Sequence, residues 1–155
     1  MISLHPIAHV RGGRQAATDD DWDSVEAEIV LDESWLTAES LMGLDDFSHI
    51  EVVYHFHGVP DEKVETTARH PRGRADWPRV GIFAQRGKNR PNRLGVTVCR
   101  LLSVDGSRLR VRGLDAIDGT PILDIKPYLT GFAPRGQIVE PDWAREIMAE
   151  YWMTK

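Results

Sequence analysis

The segment spanning residues 94–116 constrains the fold more than any other. Residues 94–104 and 108–116 are rich in β-branched and apolar side chains, and only Asp105-Gly106-Ser107 separates them. A linker that short, with Gly after Asp, joins two such runs as an antiparallel hairpin. In the second arm Arg108, Arg110 and Arg112 alternate with Leu109, Val111 and Gly113. The two-residue period of a strand therefore sets three arginines on one face.

Other segments repeat this signature. Residues 2–10 read as a first strand, with Pro6 near its start. Residues 24–32 alternate, with Val25, Ala27, Ile29 and Leu31 on the buried face. Residues 48–57 are β-branched and aromatic and suit a central strand. Residues 80–84 and 121–128 complete the set. Helix signals are few: a short turn over 37–44 with Thr37 as N-cap, and an amphipathic helix over 142–152. The latter has Asp142 as its N-cap and Trp143, Ile147 and Tyr151 on one side. Strands this numerous with so little helix predict a mainly β chain, a small and mostly antiparallel β-barrel ending in a helix. The expected organisation is one domain over 1–155, with a long basic loop at 58–79. No Gly-x-Gly-x-x-Gly opens a helix, which argues against a doubly wound nucleotide fold.

Composition narrows the class. A chain of 155 residues with 41% hydrophobic and 28% charged residues is globular in character. No apolar run approaches the roughly 20 residues of a membrane-spanning helix. The N-terminus lacks the basic and apolar regions of a secretory signal, so a cytoplasmic location is expected. Cys99 is the single cysteine, and its apolar surroundings predict a buried small hydrophobe. The net charge of −5 conceals an asymmetry. Residues 1–62 carry −12, residues 63–100 carry +8 and residues 101–155 carry −1. A basic middle can attract an anionic partner, or it can pair internally with the acidic first third.

Candidate chemistry collects in two places. Arg86 to Asn92 combines planar cationic forks with Gly87 and Pro91, which shape a turn able to hold a charged ligand end. Asp118-Gly119 is a turn entering the last strand, where Asp124 and Lys126 share a face that Tyr128 extends. His5, His9, His49, His55, His57 and His70 supply no zinc-like spacing. With no cysteine pair and no His-Glu-x-x-His, no metal is expected. A Gly-x-Ser-x-Gly nucleophile elbow is absent as well.

These motifs resemble one family. Asp46-Phe47-Ser48-His49-Ile50, Gly81-Ile82-Phe83-Ala84-x-Arg86, Arg90-Pro91-Asn92, Gly95 and the run from Asp118 through Asp124-Ile125-Lys126-Pro127-Tyr128 look like the TsaA-like, or YaeB-like, proteins, which include the tRNA methyltransferase TrmO. The likeness spans roughly residues 4–130. It implies a small β-barrel, usually a homodimer, that binds S-adenosylmethionine and methylates N6 of threonylcarbamoyladenosine in the tRNA anticodon loop. The positions it assigns to the cofactor are Phe47, His49, Phe83, Ala84, Gln85, Arg86, Arg90, Pro91, Asn92, Asp118, Leu123, Asp124, Ile125 and Lys126. His49, Asp124 and Tyr128 are candidates to take the departing proton, although no general base is required. Arg69, Arg72, Arg74, Lys88 and Arg93 would form the RNA-facing surface. Two alternatives stand beside this: the same cofactor with another RNA or small-molecule acceptor, and a non-catalytic module binding S-adenosylmethionine or RNA. The chain departs from the family's common Thr-Arg-Ser at Gln85-Arg86-Gly87, and from Arg-Pro-Asn-Pro at Arg93. Many bacterial members also carry a second, C-terminal domain, where here only a terminal helix is expected.

Overall fold

The computed structural model describes residues 1–153. Six strands close into an antiparallel barrel: β1 (Ala8–Arg11), β2 (Glu26–Leu31), β3 (His49–His55), β6 (Leu94–Asp105), β7 (Arg108–Arg112) and β8 (Pro121–Pro127). Their order around the barrel is β1-β2-β7-β6-β3-β8, and β8 returns to β1. A separate two-stranded ribbon pairs β4 (Ala68–Arg69) with β5 (Val80–Gly81).

Alternation sets the core. Ile50, Val52 and Tyr54 of β3 point inward beside Ile29 and Leu31 of β2, Leu109 and Val111 of β7, and Ile122 of β8. Cys99 joins them as the sequence predicts, and burial pushes its thiol up to about 12. On β8 the alternation slips. The register shifts between Val53 and Tyr54, which pair with Asp124 and Ile122 and leave Leu123 as the extra residue. This bulge lets Ile122 and Ile125 both face the core while Asp124 and Lys126 stay outside.

β6 spans two environments. Its second half pairs with β7 from Arg100 onward, whereas residues 94–99 pair only with β3 and leave an edge. The C-terminal segment is tied down near that edge. Tyr151 donates its hydroxyl to Asp115, which also accepts from Tyr54 at 3.1 Å and from the Thr97 hydroxyl. Asp21 and Trp22 donate backbone N–H groups to the Glu150 and Tyr151 carbonyls, and the Trp77 indole donates to Glu146 at 2.7 Å.

Several expectations are corrected. The first strand begins at Ala8, because Pro6 has no N–H to give and Met1, Ile2 and Leu4 lie exposed. The 80–84 segment is a two-residue strand followed by a 3₁₀ turn at Ile82–Ala84. The terminal helix α1 covers only Asp142–Ile147, with Pro141 rather than Asp142 at the cap position. Beyond it the chain continues in single turns, while the Glu150 and Tyr151 carbonyls accept from Asp21 and Trp22 in the segment before β2. Thr37 occupies its expected cap position without a side-chain bond.

Candidate functional site

The free edge of β6 receives the basic loop. Val53 and Val96 register opposite each other, and the Val96 carbonyl accepts from Arg86 Nη2 at 2.6 Å. Arg86 Nε and Nη1 make no hydrogen bond among the described residues, so part of the fork remains available. Arg90 turns inward and closes its own loop, donating to the carbonyls of Gln85 at 2.6 Å and Gly87 at 3.4 Å.

Gln85 and Gly87 are fitted together around Arg69. Gln85 is 7% exposed, and its amide nitrogen donates to the Arg69 and Val80 carbonyls, both at 3.0 Å. Arg69 Nε donates back to Gln85 Oε1 at 3.4 Å. A Cβ at Gly87 would lie 2.5 Å from Arg69 Nη2, so glycine makes room for that guanidinium. Arg93 stands where the family commonly has proline. Its φ of 51° is one that proline, held near −65°, cannot adopt. With Asn92 at φ 63°, two consecutive left-handed residues mark the turn into β6.

Across the barrel wall, the row Val96–Val53–Asp124 runs over β6, β3 and β8. Arg86 at the β6 edge and Asp124 on β8 therefore flank one register row, about 10 Å across at two strand spacings. Asp124 pairs with Lys126 at 3.2 Å, and its other oxygen accepts from the Ile125 N–H at 2.9 Å. Val96 and Val98 leave an apolar centre open, 38% and 41% exposed, and Phe83 stands out at 76%.

The remaining expected residues spread along β8. Phe47 and His49 lie at its far end, where the Tyr128 N–H donates to the His49 carbonyl at 3.0 Å. His49 Nδ1 meets the Ser48 hydroxyl at 2.6 Å. Asp118 sits at the opposite end and accepts from the Gly12 N–H at 2.8 Å through one oxygen. Gly119, at φ 82°, approaches the His57 ring there. Burial, with Arg93 and His57 nearby, holds His55 below the usual histidine value. The structure thus gathers Arg86, Asp124 and Lys126 around one face, and sets Asp118 and the Phe47–His49 pair at its two ends.

Several cations in and beside the 58–79 loop already have carboxylate partners. Arg72 pairs with Asp20 at 3.0 Å and Asp19 at 3.8 Å. Arg74 pairs with Asp76 and stacks over Trp77 at 3.8 Å. Arg93 pairs with Asp61 at 2.9 Å. Acidic and basic thirds therefore meet in part across the fold, and of the five cations expected to face RNA only Lys88 makes no side-chain hydrogen bond or ion pair among the described residues. The sequence places Tyr151 on the apolar side of a terminal helix but gives no sign of Asp115 or of the bond between them. Neither sits in a chemical motif, and only the fold brings them together.

Among the described residues no cluster of three His, Cys, Asp or Glu could hold a metal ion, and no helix is long and apolar enough to cross a membrane.

The family model of the tRNA-methyltransferase O N-terminal domain matches residues 14–133. A mouse tRNA (adenine(37)-N6)-methyltransferase is 38% identical over 104 residues, 66% of this chain and 24% of that protein. A Methanothermobacter thermautotrophicus protein named "Probable S-adenosyl-L-methionine-binding protein" is 37% identical over 131 residues, 82% of this chain and 90% of its own length. The crystal structure of TrmO from Pseudomonas aeruginosa superposes with a TM-score of 0.73 at 26% identity, covering 92% of this chain and 62% of that one. This chain spans about a quarter of the mouse relative's length.

Proposed function

Because the chain belongs to the tRNA-methyltransferase O N-terminal domain family, we propose that it is an S-adenosylmethionine-dependent methyltransferase acting on tRNA. The acceptor in this reading is N6 of threonylcarbamoyladenosine in the anticodon loop. The observation that carries the proposal is the outer face of β6, β3 and β8. There Arg86 and the Asp124–Lys126 pair flank the exposed Val96.

The donor chemistry fits the cofactor. The uncommitted part of the Arg86 fork suits a carboxylate. Asp124 and Lys126 offer one anion and one cation to a zwitterionic amino-acid end. The second oxygen of Asp118 suits ribose hydroxyls, and Phe47, Phe83, Ala84 and Leu123 supply apolar surface for a flat ring. Arg90, Pro91, Asn92 and Gln85 shape and brace the loop. When bound, S-adenosylmethionine supplies a sulfonium-activated methyl group. The protein's own part is then to orient donor and acceptor and to exclude water. His49, Asp124 and Tyr128 are the groups available to receive a proton. Phe83 and Phe132 are strongly exposed, and a homodimer in which a second copy covers such apolar side chains belongs to this reading.

Calorimetric titration with S-adenosylmethionine tests the reading, followed by methyl transfer to tRNA and mass analysis of the product nucleoside. Saturable binding that Arg86→Ala and Asp124→Asn each weaken is expected. A folded protein that binds no S-adenosylmethionine overturns the proposal.

A further inference from the structure

The barrel wall formed by β1, β2, β7 and the second half of β6 carries Arg11, Arg100, Arg108, Arg110 and Arg112 on its outer face. Glu26, Glu28 and Asp105 are the carboxylates set among them. Two of the arginines are neutralised: Arg108 pairs with Glu28 and Arg110 with Glu26, both at 2.9 Å. Arg100 and Arg112 are not. They register directly opposite each other on β6 and β7, and neither side chain makes a hydrogen bond or ion pair among the described residues. Like charges placed directly opposite weaken strand pairing. Arg100 is exposed and Arg112 half-buried; Glu26 of β2 registers on the far side of Arg112 but gives its carboxylate to Arg110, so no direct ion pair relieves the repulsion between the two arginines.

Position gives the pair a use. His49 of β3 registers on the other side of Arg100, so His49, Arg100 and Arg112 form one row over three strands, about 10 Å long. His49 is also one end of the candidate donor face. The arginine row therefore continues that face around the barrel. Two shallow depressions lie further along the same wall, lined in part by Arg11 with Arg110 and by Arg11 with Arg108.

We infer that the Arg100–Arg112 pair seats the ribose-phosphate backbone of the tRNA acceptor beside the donor face. The inference rests on the tRNA reading above. Phosphate oxygens bridging the two guanidinium forks turn their mutual repulsion into paired charge-assisted hydrogen bonds. Arg72 and Arg74 of the 58–79 loop, spent on Asp19, Asp20 and Asp76, are less free to do this.

The test is binding of an in vitro transcribed tRNA to the wild-type protein and to the Arg100→Ala/Arg112→Ala double variant, between about 50 and 200 mM salt. Removing two phosphate contacts is expected to weaken binding and to flatten the slope of log affinity against log salt by about 2. Glu26→Gln, which removes the nearest negative charge in the row, is expected to strengthen binding. Titration with S-adenosylmethionine should be unchanged by the double substitution, and thermal melting should be unchanged or raised because a repulsive pair is gone. An unaltered salt slope overturns the inference while leaving the tRNA reading intact. A wild-type protein that binds S-adenosylmethionine but no tRNA overturns both. A melting temperature lowered by the double substitution assigns the arginines a structural role and overturns the inference.

Discussion

Gly95→Ala isolates the most demanding packing contact in the barrel. Gly95 lies on β6 directly opposite Tyr54 of β3 and points inward. A Cβ there would stand 2.5 Å from Tyr54 Cζ, 2.6 Å from Cε2 and 2.9 Å from Phe56 Cζ. Carbon atoms rest at about 3.5–4.0 Å, so the rings would have to retreat by about 1 Å. They have little freedom to do so. Tyr54 is 2% exposed, packs edge-on against Phe56 at 5.2 Å, and donates its hydroxyl to Asp115 Oδ1 at 3.1 Å. Overpacking of this kind costs about 1–3 kcal/mol. Reduced freedom of the unfolded chain on replacing glycine offsets about 0.4–1 kcal/mol of that. The net loss of about 1–2 kcal/mol corresponds to a fall in Tm of about 2–8 °C for a chain of this size. Differential scanning calorimetry measures it, and near-UV circular dichroism reports the displaced rings. Because Arg86 is anchored on the adjacent Val96 carbonyl, affinity for S-adenosylmethionine should fall as well. A Tm within about 1 °C of wild type with an unchanged near-UV spectrum would refute the steric argument.

Two further outcomes are expected. Tyr151→Phe removes the hydroxyl that Asp115 accepts, and a hydrogen bond to a charged group is worth about 1.5–3 kcal/mol. Residues 142–151 should exchange amide hydrogens faster while β3 and β8 stay protected; equal protection of the segment in both proteins would count against the latch. The third concerns acid. Hydrogen bonds from the Thr67 hydroxyl and N–H hold Glu65 below the usual carboxylate range, and the bond from Arg74 does the same for Asp76. Depressed carboxylates stabilise fully above the unfolded value of about 4 and lose that contribution as pH falls through the folded one. Loop 58–79 should therefore loosen below about pH 4 before the barrel does. Hydrogen exchange corrected for intrinsic rates would detect this, and simultaneous loss of protection in loop and barrel would contradict it.

Much of the wall was legible in the chain. The inward sets of β2, β3 and β7 follow from strict alternation, which depends only on strand geometry. The hairpin at Gly106 follows from its turn residues. The Arg86 loop and the Asp124–Lys126 strand were visible as cations and carboxylates beside short apolar runs. Other features were invisible at that level. The bulge at Leu123 interrupts the alternation of β8, and only its pairing with β3 reveals it. The basic loop looked available for RNA until Asp19, Asp20, Asp61 and Asp76 were brought against it.

The sequence by itself determined which residues could face inward along each strand, because side-chain direction is a local consequence of the backbone repeat. Only the tertiary structure decided which charges are neutralised and which stay free. Arg72 meets Asp20 across 52 positions of chain, and Arg100 faces Arg112 across a hairpin whose register is shifted near Leu102. Charge pairing depends on distance in space, and strand register and barrel closure set that distance.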